Sequence, residues 1–227
     1  MLTCAVCDGR EFVSRDVLWE DLIDKWQLST YETEYINRQQ GQRCVHCGNN
    51  LRSIALAKAI VDTYEFNGTL KEFVVSKTAS TIRVLEINEA GGLTPILKCL
   101  PNHKFIAHPE FDMMNLNLSS HAFDLIIHSD TLEHVKDPVR ALHECRRVLD
   151  CNGKCIFTIP VIVDRVSRSR IGLPNSYHGS LNNNENDNIV YTEFGMDFWK
   201  YVIKAGFTKC LMHVLDFPAA VAIEASG

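Results

Sequence analysis

The run Val84-Leu85-Glu86-Ile87 passes directly through Asn88-Glu89-Ala90-Gly91-Gly92 into a helical pattern from Leu93 to Leu100. A short apolar, β-branched run bounded by small residues reads as a buried strand, and the small residues let the backbone approach a ligand closely. A second such run, Phe123 to Ser129, is followed by Asp130 to Val135 and by Asp137-Pro138, where proline suits the first turn of a helix over Val139 to Leu149. Gly153 then turns the chain into a third strand, Cys155 to Pro160. Near the end, a helix from Met196 to Ala205 closes at Gly206, and a last strand region starts at Phe207. Strands alternating with helices in this way specify an α/β fold, a doubly wound sheet with helices on both faces. Such sheets place their chemistry at the carboxyl ends of the strands, here at Glu86 to Gly92 and at His128-Ser129-Asp130.

At 227 residues the chain holds one medium domain plus a small appendage, and the expected division is residues 1–50 and 51–227. A net charge of -5 argues against bulk electrostatic binding of nucleic acid or of an anionic membrane. No apolar stretch has the length of a membrane span, and Met1 to Asp8 lacks the basic and apolar regions of an export signal. The expected location is the cytoplasm, where the nine cysteines would be reduced and free to bind metal.

Cys4-x2-Cys7 and Cys44-x2-Cys47 form two knuckles, each able to point two thiolates at one ion. Together they make a closed four-cysteine site of the structural zinc type, in a small zinc-ribbon-like module. Buried free thiols or a redox pair are the alternatives. The segment Glu11 to Gln42 between the knuckles is long for a compact ribbon. Asn50 to Val61 then reads as a helix with one face packed inward, leading into the main domain.

As an ordered set, the acidic strand end at Glu86, the strand Phe123-Asp124-Leu125, Leu132-Glu133-His134-Val135, Arg147-Val148-Leu149, Gly153 and Phe157-Thr158-Ile159-Pro160 carry a family resemblance. From Thr81 to Phe207 the chain resembles the class I S-adenosylmethionine-dependent methyltransferases of the small-molecule kind, type 11-like. The resemblance implies a Rossmann-like domain, S-adenosylmethionine as cofactor and a small-molecule, sugar or biosynthetic-intermediate acceptor. It also implies that Glu86, Ile87, Asn88, Ala90, Gly91 and Gly92 hold the cofactor, with Asn88-x-Ala90-x-Gly92 replacing the family's Gly-x-Gly-x-Gly. Glu110 would take the ribose hydroxyls, Asp112 and Met113 the adenine, and His128 and Ser129 would border the site. Each of these acids can also be read as a solvated loop charge.

Only His103 to Leu116 is available where the family places a strand, a helix and a further strand. A crossover of that kind takes about thirty residues. The middle is therefore expected to be compressed, with fewer strands than the standard seven.

His134 is the candidate general base, since its pKa lies near neutrality. Asp130, Glu133 and His134 resemble a Glu-x-x-Glu-His arrangement that holds a divalent metal in methyltransferases of ubiquinone biosynthesis. Capping of the following helix is the competing reading. Arg165, Arg168 and Arg170 would either meet an acidic substrate or form a solvated basic loop. Tyr177 and His178 are expected at the acceptor site, beside a polar flap over Asn182 to Asn188. The rival to an enzyme is a non-catalytic, methyltransferase-like scaffold whose cofactor turn has decayed.

Overall fold

The computed structural model describes residues 2–177 and 189–227. In chain order its elements are β1 (Phe12–Val13), α1 (Glu20–Trp26), α2 (Thr30–Gly41), β2 (Arg43–Cys44), α3 (Leu51–Thr63), α4 (Leu70–Phe73), β3 (Val84–Ile87), α5 (Thr94–Leu97), β4 (His103–Ile106) and β5 (Phe123–Ser129). They continue as α6 (Pro138–Val148), β6 (Leu149–Thr158), β7 (Val161–Ile162), β8 (Arg168–Ser169), β9 (Thr192–Gly195), α7 (Trp199–Lys204), β10 (Lys209–Asp216) and β11 (Ala220–Ser226).

The main sheet has six strands in the order β10-β11-β6-β5-β3-β4. β4, β3, β5 and β6 run parallel, while β11 pairs antiparallel with β6 and β10 antiparallel with β11. The central strands β3 and β5 are buried on both faces, which is why Leu125, Ile126 and Ile127 read as an unbroken apolar run. This is the Rossmann-like architecture, and its middle is compressed as expected. β4 is an edge strand, and residues 107–122 return to β5 without a helix or a strand of their own. The helical pattern from Leu93 shrinks to a 3-10 turn and the four residues of α5, ahead of Pro101.

Two packed layers flank the sheet. On one face Ala141, Leu142 and Cys145 of α6 and Val202 of α7 bury against Leu85, Ile126 and Phe157. On the other lies α3, capped by the Asn50 side chain, which accepts from Ser53 N at 2.9 Å. One expectation needs correction here. α3 has no solvent face along its first half, because Leu51 through Ala57 are all buried. Its outward side is covered by Cys4, Val6, Tyr35 and Cys44 from the amino-terminal part, which shares one core with Leu125 and Ile156.

In that amino-terminal part the two cysteine turns are joined by the β1–β2 pair, and the long insert folds into α1 and α2. A capping box at Ser29 and Glu32 starts α2. The Tyr35 hydroxyl donates to Val161 O at 3.4 Å and accepts from Val163 N at 3.1 Å. The insert is thereby seated over the carboxyl end of β6. Among the described residues no helix is long and apolar enough to cross a membrane.

Candidate active site

β3 delivers the chain to the carboxyl edge of the sheet, where Asn88 and Gly91 adopt left-handed backbone at φ 56. Asparagine and glycine tolerate that conformation at least strain, so the substituted turn is geometrically sound. Asn88 Oδ1 accepts from His108 N at 3.0 Å, tying the turn to the segment after β4. At Gly92 a Cβ would meet the Asn49 side chain, which would have to shift.

Glu86 is fully buried under this turn. Its Oε1 accepts from Ala90 N at 3.0 Å and from the Thr94 hydroxyl, and its Oε2 lies 2.8 Å from His103 Nε2. The carboxylate thus shapes the turn from beneath and is not among the residues lining the cavity above it. That cavity, about 640 Å³, is bounded by Ile87, Asn88, Gly91, Asp112, Met113, Ser129, Asp130 and His134, and on its far side by Asn50, Arg52 and Ser53 of α3. Asp112 Oδ1 accepts from Met114 N at 2.8 Å, and Ser129 Oγ lies 2.7 Å from Thr158 Oγ1.

Other expected residues fall elsewhere. Glu110 is exposed and off the lining, because no strand or helix follows β4 to carry it back over the pocket. His128 is fully buried inside the sheet, stacked on Phe157 at 4.7 Å, and burial pushes its pKa down to about 3. Tyr177 is exposed, accepts at its hydroxyl from Asn175 Nδ2 at 3.0 Å, and is off the cavity lining. His178 and the flap over Asn182 to Asn188 lie outside the described residues. The arginines after Pro160 are paired: Arg165 with Glu32, and both Arg168 and Arg170 with Glu193.

Beyond β5, Asp130 sits in left-handed backbone at φ 49, an uncommon state for a non-glycine residue. Its Oδ2 forms an ion pair with Arg52, whose guanidinium also donates to Gln39 Oε1. The sequence reading missed Arg52. Its signal was a lone cation in an otherwise apolar helix start, which a buried pairing explains. Glu133 is buried, and desolvation, then the neighbouring Asp130 charge, push its pKa well above the usual carboxylate range. His134 Nδ1 lies 2.9 Å from the Ile189 carbonyl, so Nδ1 carries the proton and Nε2 has the lone pair in the neutral ring. Nε2 is 3.8 Å from Glu133 Oε1, and burial lowers the His134 pKa. Among the described residues Asp130, Glu133 and His134 do not gather into a metal-holding group.

The four thiols do. The Sγ atoms of Cys4, Cys7, Cys44 and Cys47 all lie within 4.8 Å of one another. Cys4 to Cys47 is 3.6 Å and Cys7 to Cys44 is 3.7 Å. Those separations exclude disulfides, which need about 2.05 Å. They match the spacing of roughly 3.8 Å set by a tetrahedral ion with metal–sulfur bonds near 2.3 Å.

A second cavity, about 540 Å³, lies beneath α1 and α2 and shares Arg52, Asp130 and His134 with the first.

A family model described as a methyltransferase domain matches residues 93–157, from the start of α5 into β6. No curated protein matches the chain. Similar solved structures include the CMeT domain of the citrinin polyketide synthase, at 14% identity and TM-score 0.42, covering 64% of this chain and 46% of that one. The methyltransferase CalH in complex with SAH is 13% identical, with TM-score 0.42, over 89% of this chain and 60% of that one. An S-adenosylmethionine-dependent methyltransferase from Mesorhizobium loti is 11% identical, with TM-score 0.39, over 65% and 91%. The chain spans about half the length of the first structures it matches. The fold is a Rossmann-like α/β sheet, part of which, residues 93–157, matches a methyltransferase-domain model.

Proposed function

We propose that the chain is an S-adenosylmethionine-dependent methyltransferase acting on a small-molecule acceptor, with residues 1–50 forming a zinc-bearing module on the 51–227 domain. The observation that supports this most is the junction of two cavities at Asp130 and His134, one of them walled by Asn88, Glu89 and Gly91 of the turn after β3. A transfer enzyme needs its two reactants to meet at such a junction.

When bound, the cofactor supplies an electrophilic methyl group on a sulfonium. Ile87, Asn88 and Gly91 would wall it and Asp112 and Met113 would take its adenine, while Glu86 holds the turn in shape. His134 offers Nε2 to take the acceptor's proton, and its lowered pKa keeps the ring neutral near pH 7. Buried Arg52, paired with the half-buried Asp130, fixes the charge beside the reacting groups. The zinc is structural, because four thiolates leave no open coordination position.

Calorimetry with S-adenosylhomocysteine tests the reading: saturable binding at one equivalent per chain is expected. Absence of binding at high micromolar concentration would favour the rival, a methyltransferase-like scaffold. That rival draws on the internal use of both Glu86 oxygens.

A further inference from the structure

The second cavity carries an inference that rests on the methyl-transfer reading and deepens it. We propose that the insert between the cysteine pairs, α1 with α2, forms the acceptor pocket, and that its ligand is an apolar-bodied organic anion bearing a nucleophilic hydroxyl or amine.

Position comes first. The cavity opens onto Arg52, Asp130 and His134, the residues it shares with the cavity over the Asn88–Gly92 turn. A molecule seated in it presents one end to the methyl donor and to the lone pair of His134.

The walls define the body of the ligand. Leu22 and Trp26 of α1, Ile36 of α2 and Ile162 of β7 line the space, with Trp19 at the start of α1. At about 540 Å³ it falls in the range of small-molecule sites. Trp19 is 41% exposed, a large aromatic surface left open beside a hollow. Such rings grip planar or apolar groups at low entropic loss.

Charge defines the rest. Arg15, Arg43 and Arg52 line the cavity with one carboxylate, Asp130, and that one is matched to Arg52. Among the described residues Arg15 and Arg43 have no acidic partner. The Nε atom of Arg43 and the Oδ1 atom of Asp130 are both buried without a hydrogen bond. An unsatisfied buried donor and an unsatisfied buried acceptor each cost stability. A ligand oxyanion near Arg43 and a ligand hydroxyl or amine near Asp130 relieve both. A neutral sugar supplies the donor but no counter-charge for the arginines.

The test uses the full zinc-loaded chain and the fluorescent probe 1-anilinonaphthalene-8-sulfonate, an aromatic anion of suitable size, with S-adenosylhomocysteine binding measured in parallel. One equivalent of probe is expected to bind, with energy transfer from the tryptophans and displacement by 4-hydroxybenzoate but not by methyl glucoside. Trp19→Ala and Arg43→Gln should each weaken the probe by about tenfold, equivalent to 1.4 kcal/mol, and leave S-adenosylhomocysteine affinity within about twofold. Leu22→Asp should abolish probe binding. Because Trp19 and Arg43 lie outside the packed core, their variants keep the result readable if Leu22→Asp does not fold. Unchanged probe affinity in both of those variants, no probe binding, or displacement by the sugar alone would overturn the proposal. Probe failure with S-adenosylhomocysteine bound sinks this pocket only. Probe binding lost in the variants without S-adenosylhomocysteine binding sinks the methyl-transfer reading instead.

Discussion

Asn49 lies against Gly92, occupying the space a Cβ there would need, so the second cysteine turn touches the turn that walls the first cavity. Asn49 Nδ2 also donates to Cys47 Sγ at 3.4 Å, and the next residue caps α3, whose first turn lines the same cavity. The four-cysteine cluster and the proposed cofactor site are therefore mechanically continuous.

Gly92→Ala should push Asn49 aside and destabilise the chain by about 1–3 kcal/mol, the usual effect of overpacking. Denaturant unfolding measures the loss, and calorimetry should show weaker S-adenosylhomocysteine binding. A variant with wild-type stability and affinity would break the link between the two turns.

Purified protein should contain one zinc per chain by atomic emission, and Cys44→Ser should lose it. Chelation should lower the melting temperature and, through Asn49, weaken S-adenosylhomocysteine. Full stability in metal-free protein would return the four thiols to the class of ordinary buried cysteines.

His134→Ala should lower kcat by about 10²–10⁴-fold if the ring takes the acceptor's proton, with cofactor affinity little changed. The wild-type rate should fall on the acid side, as the ring protonates. Because burial depresses the His134 pKa from 6.5, that fall should begin below pH 6.5. An activity independent of pH across this region would assign the ring to structure.

His128 offers a stability test free of chemistry. Its folded pKa is depressed from 6.5 to about 3 by burial, so the unfolded chain binds the proton first on acidification. The associated stability is fully present above pH 6.5 and declines toward pH 3, by about 1.4 kcal/mol per pH unit. His128→Phe keeps the stack on Phe157 and should reduce the stability difference between pH 7 and pH 5 by about 2 kcal/mol. An equal pH slope in both proteins would contradict this account.

The parallel strands, α6 behind its proline and the paired cysteine knuckles were legible because each rests on local signals: apolar runs, a capping residue, a fixed spacing. The cavity-lining role of Asn88, Asp112, Met113 and His134 was legible too, through their place in an ordered motif. Glu86 shows the limit of that reading. Its position was clear, but its partners Thr94 and His103 are decided by how α5 and β4 return beside β3. For Arg165, Arg168 and Arg170 the sequence offered loop charges, while the fold places Glu32 and Glu193 opposite them.

By itself the sequence determined the α/β class, the shortened middle and the two cysteine pairs, because periodicity, segment length and residue spacing are properties of neighbouring residues. Tertiary structure alone decided that α1 and α2 roof a cavity, that Arg52 meets Asp130 and that Asn49 abuts Gly92. Those contacts join residues many positions apart, and only burial of a shared core brings them within reach of one another.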